Sequence, residues 1–343
     1  MLRHAPALHP PFDPRNDVSW NMKSPEEFDS YYQSTLVPLL ESLEPERRKV
    51  VSAFWVALSQ VLWFIPVIAL FVVFGNPWVF VLSGVAVFFL VKKFGDHKKI
   101  RDAYVQHFKE TVITGMIKGI NDQLGYFPQS GIGLNEYHEG DLFRQRTDEF
   151  KSGDLVDGKL GATAIRFSEL LHREKRETYD SKGNRQTHWV TIFRGVFFIA
   201  DFNKNFNGRT YVLPESGFDL FGIGAMMERW FEGRGELIKL ENPAFEKYFK
   251  VFSDDQVEVR YILSTSLMER LVELREKVNN RIYVSFLHSK IFIALPVNRD
   301  LFEPREFSSG VRQDYLKEYF YYLHLITGMV EDLNLNTRIW TKQ

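Results

Sequence analysis

The chain has no cysteine and almost no net charge, and both absences narrow its possible functions. Its 343 residues include 43 Lys and Arg against 44 Asp and Glu, which gives a formal charge of −1. Without Cys there are no disulfides, thiol nucleophiles, Cys-ligated zinc sites or iron–sulfur clusters. Without a basic excess, a protein that binds nucleic acid through a large positive field is disfavoured. The length allows roughly two domains.

One long segment lacks charged residues altogether. None occurs between Val50 and Val91, a run of 42 positions, whereas a membrane-spanning helix needs about 20 apolar residues. Gly75-Asn76-Pro77 is a turn signal inside the run. We therefore expect a two-helix transmembrane hairpin over residues 50–93. The alternative is a helical hairpin buried in a globular core, but core helices carry a polar stripe and neither half of the run has one.

Basic residues flank this segment on both sides. They are Arg47, Arg48 and Lys49 before it, and Lys92, Lys93, Lys98, Lys99 and Arg101 after it. Because Lys and Arg concentrate on the cytoplasmic side of membrane proteins, we expect a membrane protein with both termini in the cytoplasm and the lipid bilayer as a partner.

The remaining sequence is predicted to form four parts. Residues 1–23 are expected to be a disordered lead, 24–49 an amphipathic helix, 94–124 a juxtamembrane helix, and 125–343 a cytosolic α+β domain. The first helix has a clear start signal, because Ser24 can cap it, Pro25 suits the first helical position, and Glu27 follows.

The last part is rich in strand signals. Residues 162–167 and 187–202 flank a polar tip at 179–184 and predict a long hairpin, and residues 282–287 and 291–295 predict a second one. Residues 257–263 are predicted to form a further strand. Strands interrupted by separate helices favour the α+β class. The predicted fold is thus a two-helix transmembrane hairpin followed by a cytosolic antiparallel-sheet domain with flanking helices.

Motifs for known chemistry are missing. There is no HExxH, no phosphate-binding P-loop and no Gly-x-Ser-x-Gly elbow, and no cofactor or metal is predicted. If the protein is an enzyme, the candidate positions are Asp201, Lys204, Asp254, Asp255 and Arg260. The simpler interpretation of all five is turn and strand-end structure. Glu169, His172 and His188 could form a site if they met across the long hairpin. A hairpin tip at Gly183-Asn184, however, pairs His172 near Gly195 and not near His188.

Three blocks of sequence resemble an uncharacterised bacterial family of domain-of-unknown-function type. They are residues 154–169, residues 192–208 and residues 249–269, within a resemblance that covers roughly Gly125 to Arg305. The resemblance implies a protein anchored in the bacterial inner membrane and often encoded near LemA-type membrane proteins, and therefore a LemA-type protein as a possible partner. It implies no activity.

Three functional hypotheses remain open. The first is a non-enzymatic membrane-anchored protein that presents a cytosolic binding or scaffold domain to membrane partners. The second is recognition of anionic lipid by that domain, and the third is an enzyme with an unrecognised carboxylate or His site. The sequence predicts no nucleic-acid partner and leaves the oligomeric state open.

Overall fold

Nine described strands form one antiparallel sheet with the order β1-β2-β3-β4-β9-β8-β5-β7-β6. The computed structural model describes residues 25–74, 78–161, 163–179, 183–201, 207–215, 233–308 and 314–339. The strands are β1 Leu124–Phe127, β2 Glu149–Leu160, β3 Thr163–Tyr179, β4 Arg185–Asp201, β5 Thr210–Pro214, β6 Glu236–Ile238, β7 Phe249–Ser253, β8 Tyr283–Leu287 and β9 Lys290–Pro296. The sheet and its helices confirm the α+β class.

The helices cluster at the two ends of the chain and between the later strands. They are α1 Pro25–Tyr31, α2 Val37–Phe74, α3 Trp78–Phe108, α4 Thr114–Ile120, α5 Leu134–Glu139, α6 Pro243–Glu246, α7 Gln256–Ile262, α8 Thr265–Val278 and α9 Asp314–Ile339. π-Helical turns at Tyr32–Leu36 and Lys109–Ile113 join α1 to α2 and α3 to α4. The described chain is thus helical from Pro25 to Phe74 and again from Trp78 to Ile120. The predicted lead at 1–23 lies outside the described residues.

Both faces of the sheet are buried, because its strands alternate apolar side chains between two cores. On β4, Val196 and Phe198 belong to the core that contains the helices, whereas Phe197 and Ile199 belong to the other. This is the period of two that a strand imposes. The second core is covered by residues 131–145, where Gly140 lies so close to the sheet that a Cβ there would meet Phe197 and Phe292 at 3.1 Å. The Phe-rich stretch of β4 is therefore core.

The structure confirms both predicted hairpins. β3 pairs with β4 along their whole lengths, and β8 pairs with β9 through a turn at His288. Beyond residue 173, β3 has no β2 partner, and β4 has no β9 partner before Gly195. Residues 174–179 and 185–190, here called the arm, therefore form a two-stranded extension of the sheet that spans about 20 Å at the usual rise per residue.

The predicted strand at 257–263 is wrong, because residues Gln256–Ile262 form helix α7. Asp255 caps this helix: its side chain accepts hydrogen bonds from the backbone N–H of Val257 and Glu258 at 2.8 and 3.0 Å. A cap of this kind satisfies amide donors that a strand would direct to a neighbour. The strand lies just before, at Phe249–Ser253.

The transmembrane hairpin predicted at 50–93 is also contradicted. Among the residues that the structure describes, no helix combines the length and apolarity that crossing a membrane requires. The charge-free run lies in α2 and α3, which extend into its charged flanks, and part of it packs on protein: Val50 and Ala57 are fully buried. The absence of charge predicts helices that face lipid, whereas the first turns of the run contribute to the protein core. The predicted turn at residues 75–77 lies outside the described residues.

Residues 297–308, here called the strap, follow β9 in the chain. They hold α2 and α3 next to the sheet. Arg101 of α3 forms ion pairs with Glu303 and Glu306 at 2.9 and 2.5 Å. Arg47 of α2 donates to the backbone carbonyl of Glu306 at 2.6 Å. The two helices are thus held at the strap by charged contacts.

Candidate functional site

Three of the candidate positions make local contacts that shape the end of β7 and the start of α7. Asp254 forms an exposed ion pair with Arg209 at 2.7 Å. Asp255 caps α7, and Arg260 donates to the backbone carbonyl of Gln256 at 2.8 Å. These contacts agree with the simpler interpretation, turn and strand-end structure.

Asp201 is at the same end of the sheet but far from this group. It ends β4, and four strand spacings separate β4 from β7 in the sheet order, which is about 19 Å. Lys204 lies outside the described residues. The structure therefore does not bring Asp201 together with Asp254, Asp255 and Arg260.

A polar cavity lies elsewhere, on the helix-facing side of β2, β3 and β4. Its volume is about 340 Å³. The registers align Gly153 with Glu169 in one row of its lining, and Lys151, Leu171 and Arg194 in the next. Arg299 and Asp300 of the strap also line it. Because Gly153 has no side chain, space remains beside Glu169.

Glu169 connects the cavity to the strap. Its Oε1 accepts hydrogen bonds from the backbone N–H groups of Leu301 and of Phe302, the latter at 3.2 Å. Among the described residues, no donor reaches Oε2. Burial, and after it the nearby charge of Asp154, raise the pKa of Glu169 to about 8 against the lowering effect of the two backbone donors. Near neutral pH this side chain is therefore largely a neutral acid.

Asp154 is the second carboxylate of the cavity, and both of its oxygens are bound. It sits at a bulge of β2 with a left-handed φ of 57°. Lys109 donates to its Oδ2 at 2.7 Å, and the Tyr126 hydroxyl donates to its Oδ1. Bulges commonly reorient a side chain in this way. Asp154 thus joins β2 to the helical segment that follows α3.

Cationic side chains stand around the same cavity. Arg194 forms an ion pair with Asp300 at 2.8 Å, and Arg299 forms one with Glu318 at 2.6 Å. Lys151 pairs with Glu149 at 2.8 Å. All three cationic side chains are at least 41% exposed, so they remain accessible from solvent.

The sequence did not reveal this site, because its members come from distant parts of the chain. In the sequence, Glu169 is a candidate only as part of a site with His172 and His188. The structure places His172 on the opposite face and pairs His188 with Arg176 on the arm, so these three do not converge, as the predicted register required. One feature of the sequence could have indicated this site: the pair Gly153-Asp154, which lies in a strand opposite Glu169.

A second polar cluster, on the other face, is built mainly of contacts between side chains and the segment that covers the sheet. The Tyr137 hydroxyl lies 2.9 Å from His172 Nδ1, and Thr147 Oγ1 lies 3.1 Å from its Nε2. Burial lowers the pKa of His172, so the ring is neutral near pH 7. Nearby, buried Arg234 donates to the carbonyl of Leu142 at 3.0 Å and stacks over Tyr211. These contacts fasten residues 131–148 to the sheet.

The third candidate is a surface on α2 and α3, here called the apolar face. Of the 19 large apolar side chains exposed in the described part of the chain, 11 lie on these two helices. They are Trp55, Val56, Val61, Leu62, Val85, Val87, Phe88, Phe89, Val91, Phe94 and Ile100. Phe88 and Val91 are 65% exposed. A concentration of exposed apolar side chains of this kind marks an interaction site.

Lysines adjoin the apolar face. Phe54 of α2 contacts the ring of His97 on α3 at 5.6 Å, so the helices run antiparallel and the lysines of α3 lie beside the first exposed turns of α2. Lys49, Lys92, Lys93, Lys98 and Lys99 are exposed, and none of them forms an ion pair with a described carboxylate. Of the other flanking residues, Arg47 and Arg101 bind the strap and Arg48 pairs with Glu44 at 2.9 Å.

Comparison with known proteins gives little functional guidance. No curated protein matches the chain. One solved structure, the crystal structure of the mycobacterial trehalose monomycolate transport factor A, TtfA, is 9% identical, with 59% of this chain and 88% of that chain covered, at a TM-score of 0.28. That likeness carries no argument about fold or function.

A family match covers the second half of the sheet domain. The expected LemA-type association and the expected cellular location have no counterpart in these comparisons and stay predictions. Residues 191–335 match the family described as “Protein of unknown function (DUF3137)”, which supports the coarser part of the resemblance, a family of domain-of-unknown-function type.

Proposed function

We propose that the protein is a non-enzymatic adaptor that binds an anionic lipid surface through the apolar face of α2 and α3 and holds its sheet domain there for partner proteins. The observation that carries the proposal is the concentration of exposed apolar side chains on these two helices, next to five exposed lysines. The proposal concerns contact with a lipid surface.

The apolar side chains supply the driving force. Transfer of apolar surface out of water is worth about 25 cal/mol per Å², and Trp55, Phe88 and Phe89 are each more than half exposed. Aromatic rings are favoured at the boundary between water and acyl chains. A lipid surface would therefore cover side chains that the protein itself leaves in water.

The lysines select the kind of lipid. Each Lys near an anionic leaflet adds about 1 kcal/mol of attraction, and the attraction falls with salt. Residues 92–99 contain one acidic residue, Asp96, against four lysines: Lys92, Lys93, Lys98 and Lys99. The mixture of lysine and exposed aromatic residues is typical of helices that lie at an anionic interface.

Vesicle flotation tests the proposal with the full chain. We expect it to float with vesicles that contain phosphatidylglycerol, weakly with pure phosphatidylcholine, and less at high salt. Replacing Lys92, Lys93, Lys98 and Lys99 by Gln should reduce binding strongly. The matched control replaces four exposed lysines elsewhere, Lys159, Lys239, Lys247 and Lys277, with the same change in net charge.

Two results would contradict the proposal. One is equal loss of flotation in both lysine variants, which would mean that only net charge matters. The other is a stable dimer in sedimentation that persists with vesicles present and buries the apolar face, because the face would then be covered by a second copy of the chain.

The arm is the surface best placed to meet a partner protein. The β4 edge of the arm pairs with no described strand, Trp189 is 45% exposed, and Arg173 stacks on that ring at 5.0 Å. Open edges and an exposed Trp with Arg are features of protein-binding sites. A photo-crosslinker at Gln186 should capture one reproducible neighbour in native membranes, and the same group at Lys239 should not. Identical patterns at the two positions would remove the arm from the proposal.

A further inference from the structure

The cavity beside Glu169 has no part in the proposed lipid contact. We infer that it is a binding site for a small organic oxyanion, a molecule that carries a phosphate or carboxylate group. The inference goes beyond the proposed function and stands without it.

The shape of the cavity is set by a missing side chain. Gly153 lies directly opposite Glu169 in the β2–β3 register, and cross-strand neighbours share a face. A Cβ at Gly153 would find only the backbone oxygen of Pro128, at 4.0 Å. The resulting space of about 340 Å³ falls in the range of small-molecule sites.

Two guanidinium groups from different elements supply the oxyanion contacts. Arg194 on β4 uses Nη2 for Asp300, and Arg299 on the strap uses Nη2 for Glu318. A guanidinium has five N–H donors, so each group keeps donors for a ligand. Their planar geometry matches the oxygens of phosphate and carboxylate. Lys151, which pairs with Glu149, adds a third cationic side chain to the lining.

The carboxyl groups of the cavity do not repel such a ligand. Both oxygens of Asp154 are engaged by Lys109 and Tyr126, and Asp300 is neutralised by Arg194. Both backbone donors of Glu169 point to Oε1, so a proton carried by this side chain sits on Oε2. Since burial raises the pKa of Glu169, that oxygen is a hydrogen-bond donor near neutral pH.

Calorimetric titration of the full chain tests the site with glycerol 3-phosphate, inorganic phosphate and succinate. At least one of these should bind. Arg194→Gln and Arg299→Gln should each weaken binding about tenfold or more, since hydrogen bonds to charged groups are among the stronger ones. Gly153→Leu should abolish binding by filling the space and keep a cooperative unfolding transition. Arg209→Gln, which removes an Arg paired with an Asp outside the cavity, should change nothing.

Vesicles of phosphatidic acid separate a lipid headgroup from a soluble ligand. If the Arg299→Gln protein loses phosphatidic acid and glycerol 3-phosphate equally, the headgroup is one natural source. If it loses only the soluble ligand, the source is soluble. Loss of flotation in the lysine variant alone concerns the proposed function and leaves this site intact.

Two results would overturn the inference. The first is no binding of any of the three anions at millimolar concentration. The second is binding of a polyamine such as spermidine in their place, lost in Glu169→Gln, because the site would then select cations through that carboxyl.

Discussion

At the residue scale, the molecule depends on a few polar groups that serve as fixed joints. Glu169 holds the strap, Asp154 holds the segment after α3, and His172 holds residues 131–148. Each sits among apolar neighbours, where an unmet hydrogen bond costs more than a made one gains. The protonation of Glu169 and of His172 is therefore coupled to folding.

The pH dependence of stability should reveal Glu169. The unfolded chain releases this proton near its ordinary pKa of 4.5, whereas the folded chain holds it to about 8. Between these values the folded state binds more protons, so the free energy of unfolding should fall as the pH rises. Urea denaturation across this range should show the fall in the natural protein and a flatter profile in Glu169→Gln. An unchanged profile in the variant would mean that the carboxyl titrates normally.

At the element scale, local signals were predictive and long-range ones were not. The β3–β4 and β8–β9 hairpins follow from strand patterns and turn residues visible in the sequence. The cavity could not be predicted, because Gly153, Arg194 and Arg299 meet only through the sheet register and the strap.

Two errors at this scale have physical causes. The alternating residues 257–263 suit a strand, but the Asp255 cap selects helix. The charge-free run suggested a transmembrane hairpin, but its first turns pack into the core.

The cap of α7 gives a prediction. Asp255→Ala should lower the free energy of unfolding by about 1 kcal/mol, because two backbone donors lose their acceptor. Asp255→Asn, which keeps a capping oxygen, should cost much less. Chemical denaturation measures both. Equal losses would indicate that the charge of Asp255, rather than its cap, stabilises the helix.

At the scale of the whole molecule, the strap connects the two proposed binding surfaces. It lines the cavity through Arg299 and Asp300, and it binds α3 through Glu303 and Glu306. The helices that bear the apolar face are thus attached to the sheet next to the cavity.

Hydrogen exchange should report this attachment. Arg101→Gln removes both ion pairs to the strap, so the amides of α2 and α3 near the strap should exchange faster, while those of the central strands should not change. Lys99→Gln, at an exposed neighbour without a described ion pair, is the control. Equal exchange in the two variants would show that apolar packing alone holds the helices.

The absence of cysteine permits the most direct test of the lipid-surface proposal. A single Cys introduced as Phe88→Cys, at a 65% exposed position of the apolar face, can carry a polarity-sensitive fluorophore. Leu237→Cys, 50% exposed on the edge strand β6, is the matched control. With phosphatidylglycerol vesicles, the label at position 88 should shift to the blue and become protected from an aqueous quencher, and the label at position 237 should not. A label at position 88 that stays in water when the protein is bound to vesicles would contradict the account.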